Sequence, residues 1–467
     1  MKKHNLFKVI GITILVAFLL TWILPATYYN YGLIEDARQR AGIFDLFSYA
    51  TVTISYFGNI CLYILAIGGF YGVIHKIDAY RVLLDKIVKG FKDKENIFMI
   101  IIMVLFAIIT SMTSLSLGIL FLFPFVISII LLMGYDKITA VMVTVGSTLI
   151  GLIGSTYSYA NTSQLSQVLS VKPTTEIIAK LIILVLGLAI LVFNVLRYAK
   201  NHRDTKNISK DESYIPVAVK GKKKVRMWPL VLVVDLLILI LLLAFIPWAN
   251  TFKIKFFTDI TKSFLEIKIG KFAVFGSIFG KVNAFGAWTL TEALIAIVIT
   301  SGILGLIYRV KFNDYLDNFI NGAKRALKPA VLVALIYVVL VLTTYHPFLL
   351  TILKPILKMT SGLNVFTMSL VAFISSIFNV EMTYAVSAVM PYAMELITKS
   401  NVYPVIAVIW QAMYGLAMLV APTSVILFVT LAFMHVRYTE WLKAIWQLFV
   451  ELLGVLLAIS LILFLCL

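Results

Sequence analysis

The sequence predicts an all-α polytopic membrane protein built from two matched halves, on three observations. Of its 467 residues 61% are hydrophobic and 13% charged, with a mean hydropathy of +1.00, whereas a soluble domain holds about 45–50% apolar and about 25% charged residues. Its apolar runs reach the length of a spanning helix and lack the period-two alternation of a barrel strand. Polar interruptions recur at corresponding places in the two halves.

The stretch from Thr110 to Ser163 carries the clearest of these interruptions, hydroxyl-rich and glycine-dotted patches at 110–118 and 154–163. Non-helical backbone at membrane depth must be buried in protein or line a polar cavity. Such a break can present carbonyls, hydroxyls and helix termini to a solute or ion. Helix packing also enriches Ser, Thr and Gly, so one patch alone leaves both readings open. A constant shift of 267 residues lays Pro124 on Pro391 and Thr156 on Thr423. Ser155, Thr156 and Tyr157 then meet Pro422, Thr423 and Ser424, while Ser114 and Ser116 meet Glu381 and Thr383. Matched polar breaks in two halves are the sequence sign of a secondary transporter whose site lies where the repeats meet.

Charge and rare residues narrow the class. The formal charge of +18 sits in short segments between apolar spans, as expected of cytoplasmic loops. The basic tract 220–226 directly precedes a span, so anionic lipid is its expected partner and nucleic acid is not. Cys61 and Cys466 lie in apolar runs, and the five histidines are scattered; neither a disulfide framework nor a zinc site is indicated. There is no phosphate loop for an ATP-driven pump and no catalytic constellation for an enzyme. No cofactor is expected; a coupling Na+ or H+ is left open, and a homodimer is allowed.

In chain order, the first span runs to Leu24 and is broken by Pro25, with the N-terminus inside and residues 25–50 outside. A second span covers 51–74, where Gly68 and Gly69 permit close helix contact. Residues 76–96 are basic, with Tyr80, Leu83, Leu84, Ile87 and Val88 at the spacing of a surface helix. A span from Ile97, a return through Pro124, a span from Ile138 and a further one at 177–198 complete an N-terminal half, 1–198, with its repeat at about 51–198. The segment 199–227 is a basic cytoplasmic linker. The C-terminal half, 228–467, opens on a span anchored by Trp228 that contains Asp235, either a site residue or a carboxylate satisfied by a partner or near the interface. Residues 250–287 lie outside, with 271–288 a short interfacial or re-entrant piece. A span at 289–308 begins with Glu292. Residues 310–329 repeat the amphipathic, basic character of 76–96 and open the second repeat, 310–467. Spans at 330–345 and 363–378, the break at 379–387, a span from Pro404 to the break at Ala421 to Ser424, and a last helix at 445–466 follow.

The segments GYDKITAVMVTVGSTLIGLIGSTYSYANTS and WQAMYGLAMLVAPTSVILF, with Ile23, Leu24 and Pro25 after the first span, resemble the YfcC family. That family is a branch of the ion transporter superfamily, among carriers described as four-carbon dicarboxylate or basic amino-acid permeases. The resemblance implies two inverted repeats, each with a re-entrant hairpin and a broken helix, solute and ion bound between them, and elevator-like transport. The chain departs from the pattern at four places. Ser158 and Tyr159 stand where an Asn-Pro pair is common, although Thr162 fits. Tyr414 and Met418 replace polar residues. The first hairpin tip, at Ser114 to Gly118, has no acid, and the second reads Val380, Glu381, Met382, Thr383.

The expected solute is small, polar and carboxylate-bearing, an amino acid or a dicarboxylate, moved across the plasma membrane with ion or exchange coupling. Half-helix N-termini and hydroxyls suit a carboxylate. Candidate binding residues are Thr113, Ser114, Ser116, Gly154, Ser155, Thr156, Ser158, Thr162, Asn379, Glu381, Thr383, Pro422, Thr423 and Ser424. Glu381 is read as a proton carrier, as a counter-ion for a cationic solute, or as a hairpin tip in water. The alternative class is a non-transporting scaffold or partner subunit on an inherited carrier fold. The topology is testable: cysteines in 199–227 and at Lys92 should react with an impermeant maleimide only from the cytoplasmic side, and a cysteine at Arg38 only from outside. Mixed accessibility at any of them overturns the span order.

Overall fold

The computed structural model describes residues 5–36, 40–113, 116–203, 225–280, 282–358, 364–397 and 400–466. Ser114, Arg38 and most of the predicted linker therefore lie outside the described residues. Helix α1 (Asn5–Ile23) stops before Pro25, and a hairpin of β1 (Ala26–Tyr29) and β2 (Leu33–Asp36) follows. Next come α2 (Ile43–Ile74), the surface helix α3 (Asp78–Gly90) and α4 (Glu95–Thr113). A 3-10 turn at Gly118–Leu122 runs into α5 (Phe123–Leu132), with Pro124 in its first turn, where a missing N–H costs nothing. Helices α6 (Lys137–Val141) and α7 (Ser147–Ile153) are joined through a π turn at Met142–Gly146, and α8 (Tyr159–Val168) and α9 (Ile177–Asn201) follow.

The second half opens with α10 (Trp228–Phe245) and α11 (Trp248–Thr251). An exposed region holds α12 (Phe256–Leu265), the pair β3 (Lys268–Ile269) and β4 (Phe272–Ala273), and α13 (Val274–Phe279). The described residues of 271–288 are thus strand, short helix and loop. Then come α14 (Leu290–Ile307), α15 (Phe312–Tyr345), α16 (Leu349–Lys358), α17 (Val365–Phe378), α18 (Met382–Glu395), α19 (Tyr403–Met418), α20 (Val425–Met434) and α21 (Tyr438–Leu465). Among the described residues nine helices are long and apolar enough to cross a membrane, each satisfying its own backbone as lipid requires. The protein is a multi-pass, all-α membrane protein.

The innermost pair is α2 and α15. Tyr49 Oη lies 2.6 Å from His346 Nε2, Phe57 stacks on Tyr337 at 4.2 Å, and Cys61 Sγ points at Ala330 O. Further along, Gly68 faces Gly322 and Ala326, and Gly72 faces Asn318. The numbers rise on one helix as they fall on the other, so the two run antiparallel. Their backbones touch: a Cβ on Gly322 would stand 2.2 Å from Gly68 O, and one on Gly72 2.3 Å from Asn318 O. Small residues permit that approach, which in lipid supplies the packing that a hydrophobic effect cannot. Around this pair, α7 meets α19, where a Cβ on Gly415 would lie 2.7 Å from Ile153 N, and Asn194 on α9 donates to Glu451 on α21 at 2.6 Å.

Two expectations change. The stretch 310–329 and the span at 330–345 form the single helix α15, which passes through Pro329. Proline removes one helix bond, but the Gly322–Ala326 face is clamped on α2 and keeps the helix running. The likeness of 310–329 to 76–96 is consequently misleading. Under the 267-residue shift α15 falls on α2, and α3 falls on α16. These two short helices follow the C-terminal ends of an antiparallel pair and so sit at its opposite ends. In addition, α2 begins at Ile43, eight residues before its predicted start, because Asp45 accepts from Gly42 N at 2.6 Å and caps it.

The glycine seam makes a sharp prediction. Gly322→Ala should lower the melting temperature in detergent and the monodisperse yield, by about 1–3 kcal/mol of overpacking. Gly454→Ala, where a Cβ meets nothing within 4 Å, should change neither. Equal stability of the two variants contradicts the contact.

Candidate solute site at two broken helices

Two helices stop at matched positions. Helix α7 ends at Ile153 and α8 starts after Ser158; α19 ends at Met418 and α20 starts after Ser424. Each restart exposes backbone N–H groups that no helical turn satisfies. Ser158 and Ser424 occupy the cap position, yet neither side chain makes a capping bond. Both hydroxyls are buried, and among the described residues neither has a hydrogen-bond partner, an arrangement that costs free energy unless something else fills it.

Other hydroxyls at the first break are already engaged. Ser111 Oγ donates to Gly154 O at 2.8 Å and lies 3.0 Å from Thr156 Oγ1, while Thr156 N donates to Ser111 O at 2.9 Å. Ser155 O accepts from Gln411 Nε2 at 2.7 Å, leaving Gln411 Oε1 buried without a partner. Gly154 packs against the backbone of Leu184, where a Cβ would come within 2.6 Å of Leu184 Cβ. Thr113 Oγ1 donates to Ile109 O, Thr162 Oγ1 to Ser158 O, Asn379 Nδ2 to Ser375 O and Thr423 Oγ1 to Ile377 O. Their bonding groups are already engaged, most of them with their own helix, and have less to offer a ligand.

A cavity of about 160 Å³ lies at the second break, roomy enough for several waters or a small solute. Ser116, Glu381 and Ser424 line it together with Tyr337, Tyr414, Met418 and the α7 leucines Leu149 and Leu152. Tyr337 Oη, on α15, donates to Glu381 Oε1 at 2.6 Å. Tyr414 Oη donates to Val380 O at 2.7 Å. Thr383 is in the first turn of α18 and Pro422 in the second break, but neither lines the cavity. The structure therefore brings together three of the predicted residues at the cavity. Gln411 ties the first break to α19 three residues before Tyr414, about 4.5 Å along the helix.

Sequence reading passed over Ser111, Tyr337 and Gln411 and treated Tyr414 as a lost polar position. Tyr337 and Gln411 are lone polar groups in apolar helices, and that isolation is the signal that singles them out. Asp235, by contrast, lies exposed on α10, and Glu292 caps α14, accepting from Thr289 N at 2.7 Å.

Helices broken at matched positions, with Tyr337, Glu381 and Ser424 in an otherwise largely apolar cavity at the second break, are features of a membrane carrier. The family model for DcuC, the C4-dicarboxylate anaerobic carrier, matches residues 4–466, and the chain belongs to that family. That family is one of carriers, not enzymes. No curated protein sequence matches the chain. Among solved structures it is similar to the YdaH transporter of Alcanivorax borkumensis, at 13% identity and a TM-score of 0.40, over 98% of this chain and 97% of that one.

The hydroxyls divide into engaged and orphaned ones, and mutation should separate them. Ser111→Ala strands the Gly154 carbonyl and should destabilise the protein by about 1–3 kcal/mol, read as a lower melting temperature. Ser424→Ala removes a hydroxyl with no partner, so it should leave stability unchanged or raised while weakening solute binding. The reverse order would contradict this division.

Proposed function

We propose that the protein is a secondary active transporter that moves a four-carbon dicarboxylate across the plasma membrane, with the N-terminus cytoplasmic. Family membership supports the solute class. The single structural observation that carries the site is the pair of orphaned, buried serine hydroxyls at the starts of α8 and α20. A half-helix start offers free N–H groups and the positive end of the helix dipole, which favour a carboxylate. Two such starts suit a solute with two carboxylates.

The repeats are inverted in this reading. Helices α2 and α15 correspond under the sequence shift and run antiparallel, as two oppositely oriented repeats require. Elevator-like movement would slide the hairpin segments, residues 118–132 and 382–395, along the α2–α15 pair. The bond from Tyr337 to Glu381 crosses that boundary and would have to break at each passage. The YfcC-like branch is the closer placement we favour, on the Gly154, Ser155, Thr156 and Pro422, Thr423, Ser424 motifs. A non-transporting scaffold is disfavoured because Tyr414, in a position read as lost, lines the cavity and holds Val380.

Glu381 is the coupling residue in this proposal. Among the described residues it is the one carboxylate lining the cavity, and a carboxylate at membrane depth is costly unless it is paired or protonated. Glu381→Gln keeps the shape and the bond from Tyr337 but removes titration. Proton-driven accumulation of labelled succinate in proteoliposomes should be lost while succinate exchange survives. Unchanged accumulation with an unchanged pH profile would remove Glu381 from coupling.

A further inference from the structure

A larger cavity, about 330 Å³, opens further along the α2–α15 seam. Its charged lining is cationic, Lys324, Arg325 and Lys328 on α15; His75 and His435 line it too, and among the described residues no carboxylate does. Among the described residues none of the three cations on α15 forms an ion pair. Asp314 and Asp317 lie on the same helix, but two turns or more before Arg325, and neither lines the cavity. His75 adds a buried Nε2 that has no hydrogen-bond partner among the described residues. Burial, then the neighbouring Arg325 and Lys76, pushes the His75 imidazole down to about 4. It is neutral at pH 7 and acts there as a hydrogen-bonding group.

Position links this cavity to the buried site. Both are lined by α15, by the segment from Ser116 through α5, and by α20. On α20, Ser424 faces the inner cavity and Thr430 the outer one, six residues or about 9 Å apart along the axis. The floor is the glycine contact at Gly72 and Gly322, where no side chain intrudes. A volume of this size falls in the range of small-molecule sites, roughly 300–1,000 Å³.

We propose that this basic cavity is a second oxyanion site, an antechamber that holds a carboxylate or phosphate group at the basic end of the membrane domain on the way to the buried site. Its role as an antechamber rests on the carrier reading; its ability to hold an oxyanion does not. Either a free dicarboxylate or the headgroup of an anionic phospholipid would satisfy the same cations.

Arginine modification by phenylglyoxal, read site by site by mass spectrometry on the purified full-length protein, distinguishes them. Succinate at saturation should slow modification of Arg325 about tenfold, with no effect at exposed Arg309 outside the cavity. Lys324→Gln/Lys328→Gln keeps Arg325 as the reporter and should abolish the protection. Protection by phosphatidylglycerol, compared with phosphatidylcholine, and not by succinate would keep the oxyanion site and assign it to lipid, overturning the antechamber. Protection by neither, or equal protection at Arg309, overturns the site itself. The readout needs no transport, so failure of succinate uptake by the wild-type protein would sink the carrier reading separately.

Discussion

Helices α2 and α15 meet backbone to backbone because Gly68, Gly72 and Gly322 carry no side chains, and the other elements are arranged around that contact. A single methyl group at Gly322 would collide with the carbonyl of Gly68, so the approach cannot be loosened gradually. In water a core of Leu and Ile drives helices together; in lipid that drive is absent and close packing must supply it. The antiparallel pair also contacts α1, α14 and α20 directly. The short helices α3 and α16 are sent to opposite ends; a second glycine contact, Gly415 on Ile153, joins α19 to α7, where Gln411 reaches Ser155.

Breaking a helix inside a membrane leaves backbone groups that lipid cannot satisfy. The first break answers this with Ser111, which engages Gly154 and Thr156, and with Gln411. The second uses Thr423 on Ile377 and Tyr414 on Val380. Within this nearly complete set, the orphaned hydroxyls of Ser158 and Ser424 are conspicuous, because they stand where the helix dipoles point. Glu381 and Tyr337 bring the remaining polarity, and they come from elements on the two sides of the boundary that an elevator movement would cross. Binding and coupling would then be held by the same few residues.

Much of this was legible in the sequence, for physical reasons. A run of about 20 apolar residues and a cluster of hydroxyls within it are local patterns, so the spans and both breaks could be placed. The 267-residue shift found through Pro124 and Thr156 also pairs α4 with α17, α8 with α20 and α9 with α21. Pro329 was misread as a boundary because the contact that holds α15 together lies on another helix, more than two hundred residues away. Tyr337 was hidden because its partner Glu381 lies 44 residues on, in another helix's cap, beyond the reach of any helical spacing rule. Ser111 and Gln411 act through backbone carbonyls across the break, a relation that no spacing rule encodes. The Thr289 and Glu292 capping box follows a spacing rule, yet only the position of Glu292 at the start of its span was noted.

The claim that the two half-helix starts and the Glu381 cavity form one dicarboxylate site is tested most directly by a cryo-electron microscopy map of the protein with succinate. The account predicts ligand density at the second break, within hydrogen-bonding distance of Ser424 and walled by Tyr337 and Tyr414. That density should vanish in maps of Ser424→Ala prepared at the same succinate concentration. Density seated elsewhere in the membrane domain, with this cavity empty, would contradict it.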